Sequence, residues 1–234
     1  NNHFGFEVIN ATSQNNLLQG NYIGTDATGL VALGNINGGA VFWGAGTGNV
    51  FGGGAAGARN VIAGNYNGIV VGNASSGATV QGNYIGVGAD GVTLLANGGA
   101  GVSVEGGSTG TLVGTNLDGS NDGAERNVIA GNGASGVVID GAATTGTLLR
   151  GNWIGLDAGG TARGNAQAGV MLSASASNNT IGGTAAGAGN TIAFNGWDGI
   201  RLSGAGTGNA FLGNSLYGNV EQAIDIGAQG VTLN

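Results

Sequence analysis

The sequence predicts an all-β fold: one right-handed parallel β-helix of about seven coils, each holding three short strands. Three observations carry this. Asn21-Tyr22-Ile23-Gly24 returns as Asn83-Tyr84-Ile85-Gly86 and as Asn152-Trp153-Ile154-Gly155. Between these copies stand Arg59-Asn60-Val61-Ile62-Ala63-Gly64-Asn65, Arg126-Asn127-Val128-Ile129-Ala130-Gly131-Asn132 and Asn190-Thr191-Ile192-Ala193-Phe194-Asn195. A tandem unit of roughly 30 residues marks a solenoid, in which each unit buries its apolar face against its neighbours. The second observation is a recurring small residue followed by period-two alternation, as in Gly5-Phe6-Glu7-Val8, Gly101-Val102-Ser103-Val104 and Ala223-Ile224-Asp225-Ile226. The third is that no window sustains apolar residues at i, i+3, i+4 and i+7, as an amphipathic helix requires.

Within each coil the alternating segment reads as the first strand. Its leading residues are Gly5, Gly39, Gly68, Gly101, Gly136, Gly169, Gly199 and Ala223. The second strand is centred on Leu18, Phe51, Val80, Val113, Leu149, Ile181 and Phe211. An asparagine follows at 21, 60, 83, 127, 152, 190 and 214. Two positions on, Ile23, Ile62, Ile85, Ile129, Ile154, Ile192 or Leu216 marks the third strand. Coils one, three and five carry a long loop after the third strand, such as 25–34. Coils two, four and six carry theirs before the asparagine, such as 53–59. Parallel crossovers favour the right hand. Seven coils at ~4.8 Å give a rod about 34 Å long.

Stacking puts isoleucine on isoleucine along the axis, each buried aliphatic contributing about 1.5–3 kcal/mol. Glycine costs about 0.5–1 kcal/mol against alanine in regular structure, so many glycines are expected at corners with positive φ. The asparagine column reads as an inward ladder of stacked amides.

The chain has 234 residues, enough for one sizeable core. It holds 55 glycines and no proline, without the three-residue period of collagen. Five arginines face twelve carboxylates, and a net charge of -7 disfavours nucleic acid. There is no cysteine, hence no disulfide or thiolate-bound metal. No apolar run approaches the roughly 20 residues of a membrane span. The chain opens in mid-pattern, so it is expected to be one β-helix domain over 1–234, part of a longer chain with coils preceding it. Residues 220–234 are expected to form a closing coil.

The motifs Gly-Asn-Tyr-Ile-Gly-Thr-Asp-Ala-Thr-Gly (20–29) and Gly-Ala-Arg-Asn-Val-Ile-Ala-Gly-Asn (57–65) resemble right-handed parallel β-helix repeats of large bacterial surface and secreted proteins. The wider relatives are pectate-lyase-like. The resemblance covers essentially the whole chain and speaks for the fold. It leaves function open, since such folds host lyases, hydrolases, epimerases, adhesins and passive stalks.

Lyases of this architecture carry a carboxylate cluster for calcium and a basic residue on the first sheet. Here the outward column of that sheet reads Glu7, Val41, Val70, Ser103, Val138, Met171, Arg201 and Asp225, which is mostly bland. In the adjacent column Glu105 and Asp140 stack on neighbouring coils. Paired carboxylates can serve as acid and base in glycoside cleavage, and these two are the catalytic candidates if the chain is an enzyme. The plainer reading is two solvated acids at a strand end. Arg201 and Asp225 are expected to form an exposed ion pair. Asp118, Ser120 and Asp122, with Gly123 and then Glu125, match the opening of a calcium loop but lack its closing bidentate glutamate. The plainer reading there is an Asx-turn loop. No other cofactor is expected. His3, the single histidine, has no triad around it. Trp43, Trp153 and Trp197 read first as packing over loops or corners, and second as platforms for sugar rings.

Two function classes follow. The first is a structural or adhesive, non-catalytic segment of an exported bacterial surface protein, extracellular or secreted. The second is a carbohydrate-active enzyme, a polysaccharide lyase or glycoside hydrolase, or a polysaccharide-binding domain. Expected partners are a polysaccharide or cell-surface glycan, further coils, or end-to-end copies of the chain.

Overall fold

The computed structural model describes residues 2–227. Among these residues there is no helix. Three parallel sheets of eight, seven and seven strands run the length of the molecule, and each takes one strand from every coil in chain order. Strands of the first sheet are the longest, such as Phe4–Ile9, Gly38–Trp43 and Asn67–Gly72. Those of the third sheet are as short as Tyr22–Ile23. Of the expected closing coil, residues 220–227 include the strand Ile224–Asp225, and 228–234 lie outside the described residues.

The expected columns are the observed registers. Leu18, Phe51, Val80, Val113, Leu149, Ile181 and Phe211 follow one another across the second sheet. Ile23, Ile62, Ile85, Ile129, Ile154, Ile192 and Leu216 do so across the third. With the inward residues of the first sheet they form one core along the axis. Volume is balanced within coils. Where Phe42 and Phe51 stack with centroids 4.1 Å apart, the neighbouring inward position is Ala40, while the next coils place Ile69 and Val102 there.

Corners are closed by side-chain amides. The expected ladder is continuous: each Nδ2 from Asn21 through Asn60, Asn83, Asn127, Asn152 and Asn190 donates to Oδ1 of the next asparagine, ending at Asn214. Asn60, Asn83, Asn127 and Asn152 are fully buried. A second unbroken ladder, not foreseen as one, runs through Asn35, Asn65, Asn97, Asn132, Asn165, Asn195 and Asn219 at the next corner. The third corner is interrupted. Asn16 donates to Asn49 and Asn179 to Asn209, while Thr111 and Thr147 lie buried between them with unpartnered hydroxyls.

The alternating loops flank the third sheet on both sides. Loops of the odd coils fold back as small hairpins, closed by antiparallel bridges Thr25–Ala32, Val87–Leu94 and Leu156–Ala162. They stack across the intervening coils, with the Ala89 N–H donating to Gly29 and the Ala158 N–H to Gly91.

Candidate functional site

A groove of ≈ 350 Å³ lies on the outer face of the first sheet. Its floor is Val41 and Val70, its aromatic rims are Phe4 and Trp43, and its polar groups are Glu7, Asn37, Asn67 and Glu105. The register confirms the outward column from Glu7 to Asp225. Val41 and Val70 are nevertheless only 2% and 7% exposed, so part of this bland face is covered.

Gly72 shapes the site. It pairs with Trp43, and a Cβ there would lie 2.8 Å from the indole and 3.5 Å from Glu105 Cγ. The missing side chain lets the indole lie over the strand, with Glu105 on the other side of the gap. Trp43 is 44% exposed. An open ring beside a carboxylate and two amides sets an apolar face among a few polar groups, as ligand clefts do.

Glu105 and Asp140 occupy neighbouring coils as expected, but each turns to a serine. Ser103 donates to Glu105 at 2.5 Å and Ser173 donates to Asp140 at 2.6 Å. Among the described residues no hydrogen bond links the two carboxylates.

In the loop 116–125, Asp118 accepts from the Ser120 N–H and from Asn116 Nδ2, and Asp122 accepts from the Gly119 N–H. Glu125 is buried and accepts from the Asn116 N–H at 2.9 Å. These are bonds of an Asx-turn loop; the Ser120 hydroxyl makes none of them. Among the described residues no three or more His, Cys, Asp or Glu side chains group as a metal site.

The expected Arg201–Asp225 pair does not form, although the two are register partners. Arg201 instead bonds Asp198 at 3.1 Å and Glu221 at 3.3 Å, and Asp225 is buried, accepting from the Gly227 N–H. Asp198, in the turn before Arg201's own strand, and Glu221, in the turn before the next strand of that sheet, take the guanidinium. His3 sits at the first coil with Nδ1 3.2 Å from Asn37 Nδ2. Trp153 and Trp197 pack beneath Arg126 and Arg201, centroid distances 4.4 and 5.3 Å.

Fold and groove together define a parallel β-solenoid with a ligand-sized hollow on its longest sheet. The chain belongs to the NosD family: residues 41–234 match the family described as periplasmic copper-binding protein (NosD). No curated protein and no solved structure matches it. Among the described residues no helix is long and apolar enough to cross a membrane.

The family's description raises copper, and the residues here do not fit it. Copper sites draw on thiolate, thioether and imidazole ligands. This chain has no cysteine, one methionine and one histidine. His3 adjoins the first strand of the first sheet and Met171 lies on the sixth, roughly 24 Å away along the axis at one strand spacing per coil.

Proposed function

We propose that this chain is a rigid, non-catalytic β-helix segment of an exported bacterial protein, a shaft that spaces or presents other parts. The observation that carries this reading is the pair of unbroken amide ladders. They commit a side chain, buried in coils two to six, at two corners of every complete coil to axial stiffness. Incubation with pectate, alginate and mixed algal or plant polysaccharides, with and without calcium, should give no turnover. Turnover abolished by Glu105→Gln or Asp140→Asn would replace this reading with a carbohydrate-active enzyme.

One observation favours a second reading, a polysaccharide-binding segment: the indole laid over Gly72 beside Glu105. Under it, Trp43→Ala should abolish retention on a matching glycan while leaving the melting temperature within a few degrees. An array of surface glycans with no wild-type signal removes this reading. Calcium belongs to the same proposal only through Asp118, Ser120, Asp122 and Glu125. Calorimetric binding undiminished in an Asp118→Ala, Asp122→Ala double variant would exclude that loop.

A further inference from the structure

The third sheet carries a second hollow, unrelated to the groove of the first. Along this sheet Tyr22, Val61, Tyr84, Val128 and Trp153 follow in register, and the last three line the hollow. Aromatic rings therefore recur at every second strand, about 9.6 Å apart. The loops of the even coils wall one side and the stacked hairpins wall the other.

Two arginines enter from the even-coil loops in the same pose. Arg59 Nε donates to the Gly82 carbonyl at 2.9 Å and its guanidinium lies 4.0 Å from the Tyr84 ring centroid. Arg126 Nε donates to the Gly151 carbonyl at 3.3 Å and lies 4.4 Å from the Trp153 ring. Gly82 and Gly151 are equivalent positions, each just before a ladder asparagine. Each guanidinium is thus held by its inner nitrogen and by one face, and its two terminal nitrogens have no partner among the described residues. That edge is the one a carboxylate or sulfate engages with two parallel bonds.

Neither arginine pairs with a carboxylate among the described residues, in a chain where acids outnumber bases. A hollow of ≈ 190 Å³ between the loops of coils two and four contains Arg59, and one of ≈ 120 Å³ contains Arg59, Tyr84, Arg126 and Trp153. No carboxylate lines either. The hairpin carboxylates Asp26, Asp90 and Asp157 are turned into their own turns, onto N–H groups of Val31, Thr93 and Thr161. Burial pushes the pKa of Arg126 down from its ordinary value. The phenol of Tyr84 and the indole N–H of Trp153 make no hydrogen bond within the described residues, which leaves them for hydroxyl groups.

We infer that this groove binds a linear acidic polysaccharide along the solenoid axis. Arg59 and Arg126 take acidic groups about two coils apart, Tyr84 meets sugar hydroxyls between them, and Trp153 meets those beyond Arg126. The test uses the purified chain in affinity electrophoresis and calorimetry. The probes are polygalacturonate for carboxylates, dextran sulfate for sulfates, methyl-esterified polygalacturonate as the uncharged control, and polyglutamate as an acidic polypeptide. Binding of at least one acidic polysaccharide is expected, weakening as salt rises and absent from the ester. An Arg59→Gln, Arg126→Gln double variant should bind at least tenfold more weakly. An Arg59→Lys, Arg126→Lys variant keeps the charge and should still lose several-fold, and it decides the matter should the glutamine pair fail to fold. No binding to either acidic polysaccharide, equal binding by the lysine pair, or polyglutamate bound as tightly would each overturn the inference.

Discussion

Four residues of Arg59-Asn60-Val61-Ile62-Ala63-Gly64-Asn65 divide three tasks. Arg59 covers a ring, Asn60 and Asn65 are rungs of two ladders, and Ile62 is core. A central rung is costly to remove. Asn127 donates to Val80 and Asn152 while its Oδ1 accepts from the Asn83 N–H and Nδ2. Asn127→Leu strands buried partners on both sides, at about 1–3 kcal/mol each, and should lower stability by about 3 kcal/mol or more. Asn21→Leu, at the half-buried end of the column, should cost about 1 kcal/mol. Denaturant melts of the two variants check the ordering, and equal losses would reject a ladder mechanism. Glycines divide similarly. Gly86 has φ 86° and a Cβ there would run into the Ala130 carbonyl, whereas Gly57 has φ 81° with open space around it. Gly57→Ala should cost about 1–2 kcal/mol from the left-handed backbone alone, and Gly86→Ala clearly more. The first ladder was legible because its asparagine always sits two residues before an apolar one. The second was hidden in plain motifs: Asn65 and Asn132 end the repeats, but in odd coils the equivalent Asn35, Asn97 and Asn165 are cut off from the motif by a hairpin. Their distance of four residues to the leading Gly39, Gly101 and Gly169 was the available signal.

At the scale of the element, strand columns were readable because stacking repeats the same side-chain size at each level. The odd-coil loops were readable as insertions but not as hairpins. Their fold rests on one aspartate each: Asp26 accepts from the N–H groups of Leu30 and Val31, and Asp90 from those of Val92 and Thr93. Hydrogen bonds from Thr28 and Thr93, with those backbone groups, hold both carboxyls below the ordinary aspartate value. A depressed pKa in the folded state gives a contribution that is present above the unfolded value and is lost as pH falls through the folded one. The hairpins should therefore hold at pH 5 and loosen only below the usual aspartate range. Proton-detected titration of the Val92 and Thr93 amides should show one transition, below 3.8, and none in Asp90→Asn. A transition above that value contradicts the account. The candidate site was less legible. Glu105 and Asp140 could be placed on adjacent strands, but not their serine partners, and nothing in the pattern marked Gly72 as the slot for Trp43. Side-chain direction across a sheet edge depends on what the neighbouring coil leaves empty.

For the whole molecule the working unit is two coils, because each hairpin rests on the hairpin two coils away while the even-coil loops alternate with them on the other side of the third sheet. Deleting 68–135 joins an even coil to an odd one and keeps the alternation. Deleting 68–100 puts two even-coil loops, 53–59 and 115–126, on consecutive levels. The two-coil deletion should melt cooperatively, at a temperature lowered only by the loss of nearest-neighbour contacts. The one-coil deletion, although shorter, should be the less stable of the pair, and calorimetric scans giving the opposite order would dissolve the two-coil unit. The amide columns have one more property. From Asn16 to Asn49, Asn21 to Asn60 and Asn35 to Asn65, every amide-to-amide bond is donated toward the later coil, and this sense persists to Asn209, Asn214 and Asn219. Aligned amide dipoles add. The ladders are therefore arrows: each rung turns a lone pair to the earlier coil and a hydrogen to the later one. Were two such shafts to meet, nose to tail would set lone pair against hydrogen, and nose to nose would set oxygen against oxygen. Any filament built from them inherits a direction, as a microscopic one-way street.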